Sequence, residues 1–474
     1  MTIMEMIRDN APETGPKYPH LEQLFRRAIE DGTLTPGDKL PPLRQASWEA
    51  GCSLGTMARV YSALERQGLV TSEVGRGTFV KEPDSLTANV ILPPGSGGSA
   101  DLSMINLVQN EIHHSQAENL VRQAMARAAE KLPSVMITGY GDGSGHHEMK
   151  PRLMPLLDPS LQDLNPGDLI LTHGVQHALY TILSRMAGKG DGVAVEPLSY
   201  PGIRAIIAQH GLTCHSVETD EDGILPDSLD MVCRDGRVRL LLTSPTGQNP
   251  TGITTSLERR QAICEVARRR DLLIVEDDIY GHLYPESPPP YAALLPEQSI
   301  YLTGLSKRVA PALRVGLALV PTRQNLLMAQ TITTQCWMVS PLLAAAAADI
   351  AERDDQLSKM ADDCIARSKA RAATLSKRLG GLVQGIEACR PHAWITLPEG
   401  VTDEMLEPIA KSHGVLITEG YRFSNRIIAD HGHIRVALLS CPTDRQFELG
   451  IERLALALEQ IRQQAEPAPD MSFV

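Results

Sequence analysis

The sequence lacks the features that would assign the protein to a membrane, secreted or zinc-binding class. It has no uninterrupted apolar run of about 18 residues or more, so no membrane span is expected. Its first residues, MTIMEMIRDN, include acidic side chains and no long apolar stretch, so no secretory signal is expected. Its 8 cysteines are scattered without a C-x-x-C pair, which suits reduced thiols in the cytoplasm better than disulfides or a zinc site.

A metal site and a uniformly basic surface are also not expected. The pairs His113-His114 and His146-His147 have no third ligand at a useful spacing, so they predict no metal site. The net charge of −12 argues against a protein coated in nucleic acid, although a mean charge can conceal a local basic patch. No internal repeat of about 20 to 50 residues is present.

The length of 474 residues exceeds one ordinary core, so two or three domains are expected. Proline, glycine and serine concentrate in PPGSGGSA, and the residues around it lack helical periodicity. We therefore predict a linker over 83–103, between a domain over 1–82 and a larger domain over 104–474. The larger domain is expected to end in a smaller subdomain over about 347–474. The alternative is a long surface loop within one domain.

Three helices and a hairpin are predicted before the linker. A second helix fits LRQASWEAG, with Gly51 as its end, and Ser53 can cap a third helix. β-prone runs on both sides of VGRG predict a hairpin. This order is typical of a winged helix-turn-helix, which lays its third helix in the major groove of DNA. The first and third helices are expected to bury Leu21, Leu24, Phe25, Ala28, Ile29, Met57, Val60, Tyr61 and Leu64.

The motifs GDKLPPLRQ, YSALERQGLV and GRGTFV resemble the DNA-binding domain of the GntR family. That family often has arginines in the third helix where this chain has Leu54 and Ala58, so other polar residues are expected to share the reading of bases. Residues 39–81 hold six basic and three acidic side chains, which is compatible with phosphate neutralisation. The alternative is a winged helix used only for protein contacts. The candidates for DNA contact are Arg44, Ser53, Thr56, Arg59 and Arg76.

After the linker, short apolar runs alternate with helical stretches such as QAICEVARRR. The runs DLILTHG, GVAVEPLSYPG, VRLLLTSPTG and DLLIVEDDIYG are rich in Val, Ile and Leu, as buried parallel strands are. This alternation predicts an α/β sheet whose functional loops lie at the ends of the strands.

Chemically useful side chains follow these predicted strands. THGVQHAL ends a strand and opens a helix, whose first N–H groups can bind an anion. Each such residue alone is more often structural, whereas the whole set at strand ends is improbable by chance. Pyridoxal phosphate needs this set, because its aldehyde takes a lysine, its ring nitrogen a carboxylate and its phosphate a helix start with an arginine. The side chains are Tyr200, Asn249, Asp277, Tyr280, Lys307 and Arg314.

Residues from about 104 to 460 resemble the fold type I aminotransferases. The resemblance implies that Lys307 forms a Schiff base with pyridoxal phosphate and that Arg435, in HGHIRVALLS, holds an amino acid's carboxylate. It implies that the cofactor ring is held by Tyr200, Asn249, Asp277 and Tyr280. It implies that the phosphate is held by Val175, Gln176, Ser306, Arg314 and, from the partner subunit, Tyr140.

The chain also departs from the aminotransferase pattern. Gly304 stands where the family commonly has the first serine of Ser-x-Ser-Lys, and the adjacent Thr303 is a candidate to replace the missing hydroxyl. The N-terminal Gly-x-Pro substrate motif is absent, with INLVQNEIHH in its region. HHEMKPRLM stands where the family's tyrosine segment usually ends in Leu-Arg. Cofactor binding is therefore better supported than substrate turnover.

A GntR-type domain joined to an aminotransferase-like domain is the arrangement of the MocR-type regulators. The resemblance implies a cytoplasmic homodimer, domain-swapped in one arrangement, that binds promoter DNA and senses pyridoxal phosphate or an amino-group effector at Lys307. Two alternatives remain open. One is a working aminotransferase acting on an amino acid, with Lys307 as the base. The other is a folded dimerisation scaffold that holds no cofactor.

Overall fold

The computed structural model describes residues 4, 7–8, 17–30, 33–34, 37–66, 69–73, 76–80, 104–425 and 431–465. They divide into two compact units, one formed by the described residues before 81 and one by those from 104 onward. The predicted linker and the hairpin residues Val74 and Gly75 lie outside the described residues. No helix in the described part of the chain is long and apolar enough to cross a membrane.

The first unit is built from α1 (Lys17–Glu30), α2 (Leu43–Glu49), α3 (Leu54–Arg66), β1 (Val70–Glu73) and β2 (Gly77–Val80). The helices share one core, in which the rings of Phe25 and Tyr61 pack edge to face with centroids 5.7 Å apart. Gly51, with φ of 56°, turns the chain between α2 and α3, and Ser53 Oγ accepts the Thr56 N–H at 3.0 Å. β1 and β2 form an antiparallel hairpin. The predicted winged helix-turn-helix is confirmed.

The second unit is an α/β body with a smaller α+β part. Its strands are β3 (Ile105–Asn106), β4 (Leu169–Thr172), β5 (Gly192–Val195), β6 (Thr213–Ser216), β7 (Thr219–Asp220), β8 (Gly223–Ile224), β9 (Val238–Thr243), β10 (Leu273–Asp277), β11 (Ser299–Gly304), β12 (Gly316–Leu319), β13 (Gly385–Ala388), β14 (His392–Thr396), β15 (Val415–Leu416), β16 (Thr418–Glu419) and β17 (His433–Ala437). Its helices are α4 (Ala117–Lys131), α5 (Ser134–Thr138), α6 (Lys150–Leu153), α7 (Val175–Met186), α8 (Pro201–Gln209), α9 (Pro226–Val232), α10 (Leu257–Arg270), α11 (Tyr291–Leu294), α12 (Thr322–Cys336), α13 (Pro341–Ala351), α14 (Asp354–Leu379), α15 (Asp403–Ser412) and α16 (Asp444–Ala465).

The main sheet of the described residues has 7 strands in the order β4-β12-β11-β10-β9-β5-β6. All of them run in the same direction except β12, which is antiparallel to both of its neighbours. The run DLILT therefore forms an antiparallel pair although its composition predicts a parallel strand, because β12 separates β4 from β11. Helices α7, α8 and α12 cover one face, and α4, α13 and α9 to α11 cover the other. Strands buried on both faces explain the continuous apolar runs.

The smaller part carries an antiparallel sheet in the order β13-β14-β17-β16. Helices α14, α15 and α16 bury their apolar faces against it, with Leu375, Leu406 and Leu454 fully enclosed. The short strand β3 pairs in parallel with β15, and Ile105 lies opposite Val415. The chain that follows the predicted linker is therefore fastened to the smaller part of this unit.

Candidate functional site

The carboxyl ends of β4, β5, β9, β10 and β11 lie at one edge of the main sheet, because these strands run in one direction. This edge is where ligands bind in open α/β sheets. The charges of Asp277, Arg314 and Arg435 all act on the side chains of Tyr200 and Lys307. The motif residues therefore share one site although they are far apart in sequence. The residues at the strand ends are Val175, Gln176, Tyr200, Asn249, Asp277 and Lys307.

The first turn of α7 presents unbonded N–H groups beside a guanidinium. The carbonyl of Gly174 accepts the N–H groups of the third and fourth helical residues at 3.1 and 3.3 Å. For the N–H groups of Val175 and Gln176, no acceptor lies in the part of the chain that the structure describes. Arg314 Nη2 donates to the His173 carbonyl at 2.9 Å, and a Cβ on Gly174 would lie 2.9 Å from the same nitrogen. Two free N–H groups and a guanidinium can hold a phosphate.

Lys307 lies in the turn that follows β11, and its Nζ donates to the Asn110 carbonyl at 2.7 Å. Burial lowers the pKa of Lys307 to about 8, and the positive charge of Arg435 acts in the same direction. Glu111 and Asp277 oppose this shift of the pKa with their negative charges. A lowered pKa increases the neutral, nucleophilic fraction of a lysine at physiological pH.

Asp277 ends β10, and its carboxyl group faces the site. Among the described residues, no cationic side chain donates a hydrogen bond to this carboxyl group. Its Oδ1 accepts the backbone N–H of Ile279 at 3.2 Å. Burial raises the pKa of Asp277 to about 6, while that N–H and the charge of Lys307 lower it. A carboxylate placed like this is stabilised by a protonated nitrogen of a ligand ring.

Tyr280 belongs to a hydrogen-bond chain through Asn110 and His392. Asn110 Nδ2 lies 3.0 Å from the hydroxyl oxygen of Tyr280 and 3.0 Å from His392 Nδ1. His392 Nε2 lies 2.9 Å from the Pro250 carbonyl, which can only accept, so Nε2 carries the ring proton and Nδ1 accepts from Asn110. Burial lowers the pKa of His392 to about 3, in agreement with a neutral ring. Tyr280 thus receives a hydrogen bond and keeps its own proton for another acceptor.

Arg435 extends from β17 into the site. Its Nη1 donates to Asn249 Oδ1 at 2.8 Å, and its Nη2 donates to the Val108 carbonyl and, at 3.5 Å, to the Thr418 hydroxyl. Its buried Nε has no hydrogen-bond partner among the described residues. Burial lowers the pKa of Arg435 to about 10, so the guanidinium stays charged at neutral pH. A buried guanidinium with a free N–H is suited to a ligand carboxylate.

The structure brings Tyr200 to the site and leaves Tyr140 outside it. The Tyr200 hydroxyl donates to Gln176 Oε1 at 3.4 Å, and Ser306 directly precedes Lys307 in its turn. Tyr140 is 81% exposed and packs on Trp337, with ring centroids 4.8 Å apart. Within its own chain, the described contacts of Tyr140 therefore do not include the cofactor-binding candidates. Its predicted action on a neighbouring subunit stays a prediction.

Thr303 does not replace the serine that is missing at Gly304. The Thr303 hydroxyl donates to the Asp278 carbonyl at 3.2 Å, inside the sheet. A side chain on Gly304 would place its Cβ 3.0 Å from the Val315 carbonyl oxygen. The expectation for Thr303 was wrong because adjacent residues of a strand point to opposite faces of the sheet.

The DNA-contact candidates all lie in the first unit. Arg44, Arg59 and Arg76 are exposed, with the guanidinium of Arg59 over a tyrosine ring of α1 and that of Arg76 over a phenylalanine ring of β2. The hydroxyl oxygens of Ser53 and Thr56 lie 2.9 Å apart. Their assignment to DNA stays a prediction.

Asn110, His392 and the carbonyl of Val108 are site groups that the sequence reasoning missed. Asn110 and Val108 lie in INLVQNEIHH, where the absent Gly-x-Pro motif was the one available signal of a changed segment. His392 opens β14 and reads as an ordinary residue of a buried strand. Contacts across 282 residues, such as that between Asn110 and His392, leave no local pattern.

With this geometry established, the chain can be compared with known proteins. The family model of aminotransferase class I and II matches residues 103–454. The chain belongs to the aminotransferase class I and II family. The model of the gntR family of bacterial regulatory proteins matches residues 17–80 of this aminotransferase-family chain. The predicted combination of domains, that of the MocR-type regulators, is confirmed.

Individual relatives include both regulators and aminotransferases. The chain is 24% identical over 448 residues to the HTH-type transcriptional regulator YdeF of Bacillus subtilis (strain 168), covering 94% of this chain and 95% of YdeF. It is 28% identical over 312 residues to the HTH-type pyridoxine biosynthesis transcriptional regulator PdxR of Corynebacterium glutamicum, covering 65% of this chain and 67% of PdxR. The solved structure of LysN, an alpha-aminoadipate aminotransferase from Thermus thermophilus complexed with N-(5'-phosphopyridoxyl)-L-leucine, matches with a TM-score of 0.68 at 22% identity, covering 77% of this chain and 94% of LysN. The predicted aminotransferase fold is thereby confirmed.

Proposed function

We propose that this protein is a pyridoxal phosphate-dependent transcriptional regulator. Its first unit binds promoter DNA, and its second unit senses pyridoxal phosphate or an amino-group effector at Lys307. One observation carries the proposal. A lysine of lowered pKa, a buried carboxyl, an open helix start and a buried guanidinium meet in one site, in a chain whose first residues match a regulator family.

Pyridoxal phosphate fits the donors and acceptors of this site. The unbonded N–H groups at the start of α7 suit its phosphate, and the carboxyl of Asp277 suits its ring nitrogen. The free proton of the Tyr280 hydroxyl suits the phenolic oxygen of the ring. When bound, the cofactor supplies an aldehyde for amines and a ring that withdraws electrons. The residues that would hold it are Val175, Gln176, Tyr200, Asn249, Asp277, Tyr280, Ser306, Lys307, Arg314 and the partner subunit's Tyr140.

An amino acid effector also finds complementary groups here. Its carboxylate suits Arg435, where it competes with the carbonyl of Val108 for the guanidinium. Its amine suits the position at which Lys307 donates to the Asn110 carbonyl. Binding of such an effector would therefore compete with the hydrogen bonds that the backbone carbonyls of Val108 and Asn110 accept. That backbone follows β3, which begins two residues after the predicted linker over 83–103, so the effector site and the linker are joined by a short stretch of chain.

A DNA titration tests the regulator directly. The probe is a duplex selected by the full chain from a randomised DNA pool, and the protein is tested without cofactor, with pyridoxal phosphate, and after borohydride reduction of that complex. Coupling between two sites is typically about 1–3 kcal/mol, so the curves are expected to differ by roughly 5–150-fold. Lys307→Ala is expected to abolish the effect of an added amino acid while sparing basal DNA affinity. Three superimposable curves contradict the proposal.

Amino-group transfer is the second candidate function, favoured by the intact combination of Lys307, Asp277 and Arg435. Lys307, with its lowered pKa, can move a proton at neutral pH, and Arg435 can orient an amino acid. Steady formation of keto acid over many turnovers, abolished by Lys307→Ala, is the expected result for an enzyme. Turnover together with DNA affinity that is indifferent to the state of Lys307 favours the enzyme over the regulator.

The cofactor-free scaffold remains the third alternative. Mass spectrometry after borohydride treatment of the holoprotein distinguishes it, because the reduced adduct is expected on Lys307. An adduct on another lysine contradicts the site, and the absence of any adduct favours the scaffold.

A further inference from the structure

A carboxylate lies at the reactive end of the site, beside Lys307. The Asn110 carbonyl accepts a hydrogen bond from Lys307 Nζ at 2.7 Å, and Glu111 is the next residue in the chain. Against the lowering effect of burial, the charge of Glu111 raises the pKa of Lys307. Glu111 belongs to INLVQNEIHH, the segment that stands where the aminotransferase pattern has its substrate motif.

Glu111 has no strong cationic partner within the described structure. Its Oε2 lies 3.5 Å from His113 Nε2, and no arginine or lysine of the described residues forms an ion pair with it. The nearby His113 ring and the charge of Lys307 lower the pKa of Glu111 against the opposing effect of burial, so the carboxylate is charged at neutral pH. Its side chain is 45% exposed, so a ligand that enters the site can reach it.

The amide oxygen of Asn110 is a second acceptor without a donor. Asn110 is 6% exposed, and its Oδ1 has no hydrogen-bond partner among the described residues. Turning the amide over does not satisfy this oxygen, because Nδ2 is needed to donate to the acceptor nitrogen of His392. Nδ2 also lies 3.0 Å from the Tyr280 hydroxyl oxygen, so the amide borders the site. A buried acceptor without a donor is unfavourable, so a ligand N–H group that reaches it stabilises the complex.

The cofactor and a simple amino acid leave these two acceptors unmatched. The cofactor's phosphate and ring nitrogen have counterparts in Arg314 and Asp277, and the carboxylate of an amino acid has its counterpart in Arg435. An apolar side chain offers no donor to the acceptors that remain. A terminal ammonium offers a positive charge and three N–H donors, which are the groups that a carboxylate and an amide oxygen require.

We propose that the effector is a diamino carboxylic acid, whose side-chain ammonium is bound by Glu111, with the Asn110 amide oxygen as a second acceptor, while Arg435 holds its carboxylate. The inference rests on the proposed function, in which an amino-group effector is sensed at Lys307. A charge-assisted hydrogen bond is roughly twice as strong as a neutral one, so this contact distinguishes the effector from amino acids with neutral side chains.

Matched pairs of amino acids isolate the contribution of the ammonium. L-Ornithine and L-norvaline have the same carbon chain, as have L-lysine and L-norleucine, and only the first member of each pair carries a side-chain amine. Each is titrated into the full chain reconstituted with pyridoxal phosphate, and the cofactor absorbance reports binding. At least one diamino acid is expected to bind about tenfold or more tightly than its neutral counterpart, as a hydrogen bond to a charged group requires.

Variants of Glu111 connect this preference to one carboxylate. Glu111→Gln keeps the shape of the side chain and is expected to abolish the preference, whereas Glu111→Asp keeps the charge and is expected to retain part of it. The ratio of the two affinities is the decisive quantity, because the change in the pKa of Lys307 affects both amino acids alike. Glu404→Gln is the matched control, since this carboxylate of α15 also lies near a histidine, 3.9 Å from His431 Nδ1. It is expected to leave the ratio unchanged.

The outcomes separate this inference from the function on which it rests. Equal binding of both members of each pair overturns the inference, and so does a preference that survives Glu111→Gln. If Glu111→Gln weakens both members equally, Glu111 serves the freed amine of Lys307 and the inference fails. If pyridoxal phosphate alone changes DNA affinity but no amino acid changes its absorbance, the inference fails and the regulator stands. If no cofactor adduct forms on Lys307, both fail together.

Discussion

At the scale of single residues, burial lowers the pKa of Lys307 to about 8, close to physiological pH. We expect the cofactor-free protein to take up pyridoxal phosphate at a rate that rises with pH around a midpoint of about 8, because only the neutral amine can attack the aldehyde. An unburied lysine would give a midpoint near 10.5, the ordinary value of its pKa. Stopped-flow absorbance of the cofactor measures this rate across the pH range.

Two charge variants test the cause of that lowered pKa, and they have opposite signs. Arg435→Gln removes a positive charge that lowers the pKa of Lys307, so the midpoint is expected to rise. Glu111→Gln removes a negative charge that raises the same pKa, so the midpoint is expected to fall. A wild-type midpoint near that of free lysine, or a shift of both variants in one direction, contradicts this electrostatic account.

Asn110 is expected to act on the cofactor through Tyr280. Its amide donates a hydrogen bond to the Tyr280 hydroxyl oxygen, which leaves the hydroxyl proton free to be donated, and it donates a second hydrogen bond to His392 Nδ1. Asn110→Ala removes both bonds and is expected to weaken pyridoxal phosphate binding by about fivefold, the value of about 1 kcal/mol for one hydrogen bond. Tyr280→Phe is expected to have a similar effect, and the double variant should be little worse than either. Binding titrations of the three variants measure this coupling, and fully additive losses would show that Asn110 acts elsewhere.

At the scale of secondary-structure elements, the close contact between β12 and the loop before α7 positions the N–H groups of Val175 and Gln176, which we propose bind the phosphate. A Cβ on Gly316 would lie 2.5 Å from the carbonyl carbon of Gly174 and 2.6 Å from Thr172 Oγ1. Gly316→Ala is therefore expected to destabilise the protein by about 1–3 kcal/mol and to displace the N–H groups that face the phosphate. Urea unfolding and cofactor titration measure the two effects.

Gly381 provides the matched control for that substitution. A Cβ there would meet no atom within 4 Å, and its backbone has no positive φ. Gly381→Ala is expected to leave stability within about 0.5 kcal/mol of the wild type and cofactor affinity unchanged. Equal losses in the two glycine variants would refute the steric explanation.

At the scale of the whole molecule, Tyr140 is predicted to complete the site of a partner subunit. Chains carrying Tyr140→Phe are mixed with chains carrying Lys307→Ala, and mixed dimers are purified by two affinity tags. If Tyr140 acts across the interface, each mixed dimer contains one site with both residues intact. The cofactor affinity of that site is expected to equal that of the wild type.

The two parent homodimers are the controls for this complementation. The Tyr140→Phe homodimer is expected to bind the cofactor weakly, and the Lys307→Ala homodimer should form no covalent adduct. Mixed dimers with no site of wild-type affinity would place the action of Tyr140 within its own chain, whereas a Tyr140→Phe homodimer of wild-type affinity would place it outside the site altogether.

Much of this molecule follows from local sequence. The periodicity of Leu21 to Ile29 and the cap at Ser53 predict the helices of the first unit, because helical faces and caps depend on residues three or four positions apart. The strand-end motifs predict the neighbourhood of Asp277 and Lys307, because parallel strands end at one edge of a sheet.

Other features were decided only when distant segments packed together. The antiparallel β12 separates β4 from β11, and no property of the run DLILT contains that information. The Thr303 hydroxyl faces Asp278 because of the alternation within β11, which the motif comparison ignored. The amide of Asn110 reaches His392 across 282 residues, and the carbonyl of Val108 reaches Arg435 across 327. Sequence patterns record interactions between near neighbours along the chain, whereas these contacts exist because burial of separate apolar surfaces in common cores brings unrelated segments into hydrogen-bonding distance.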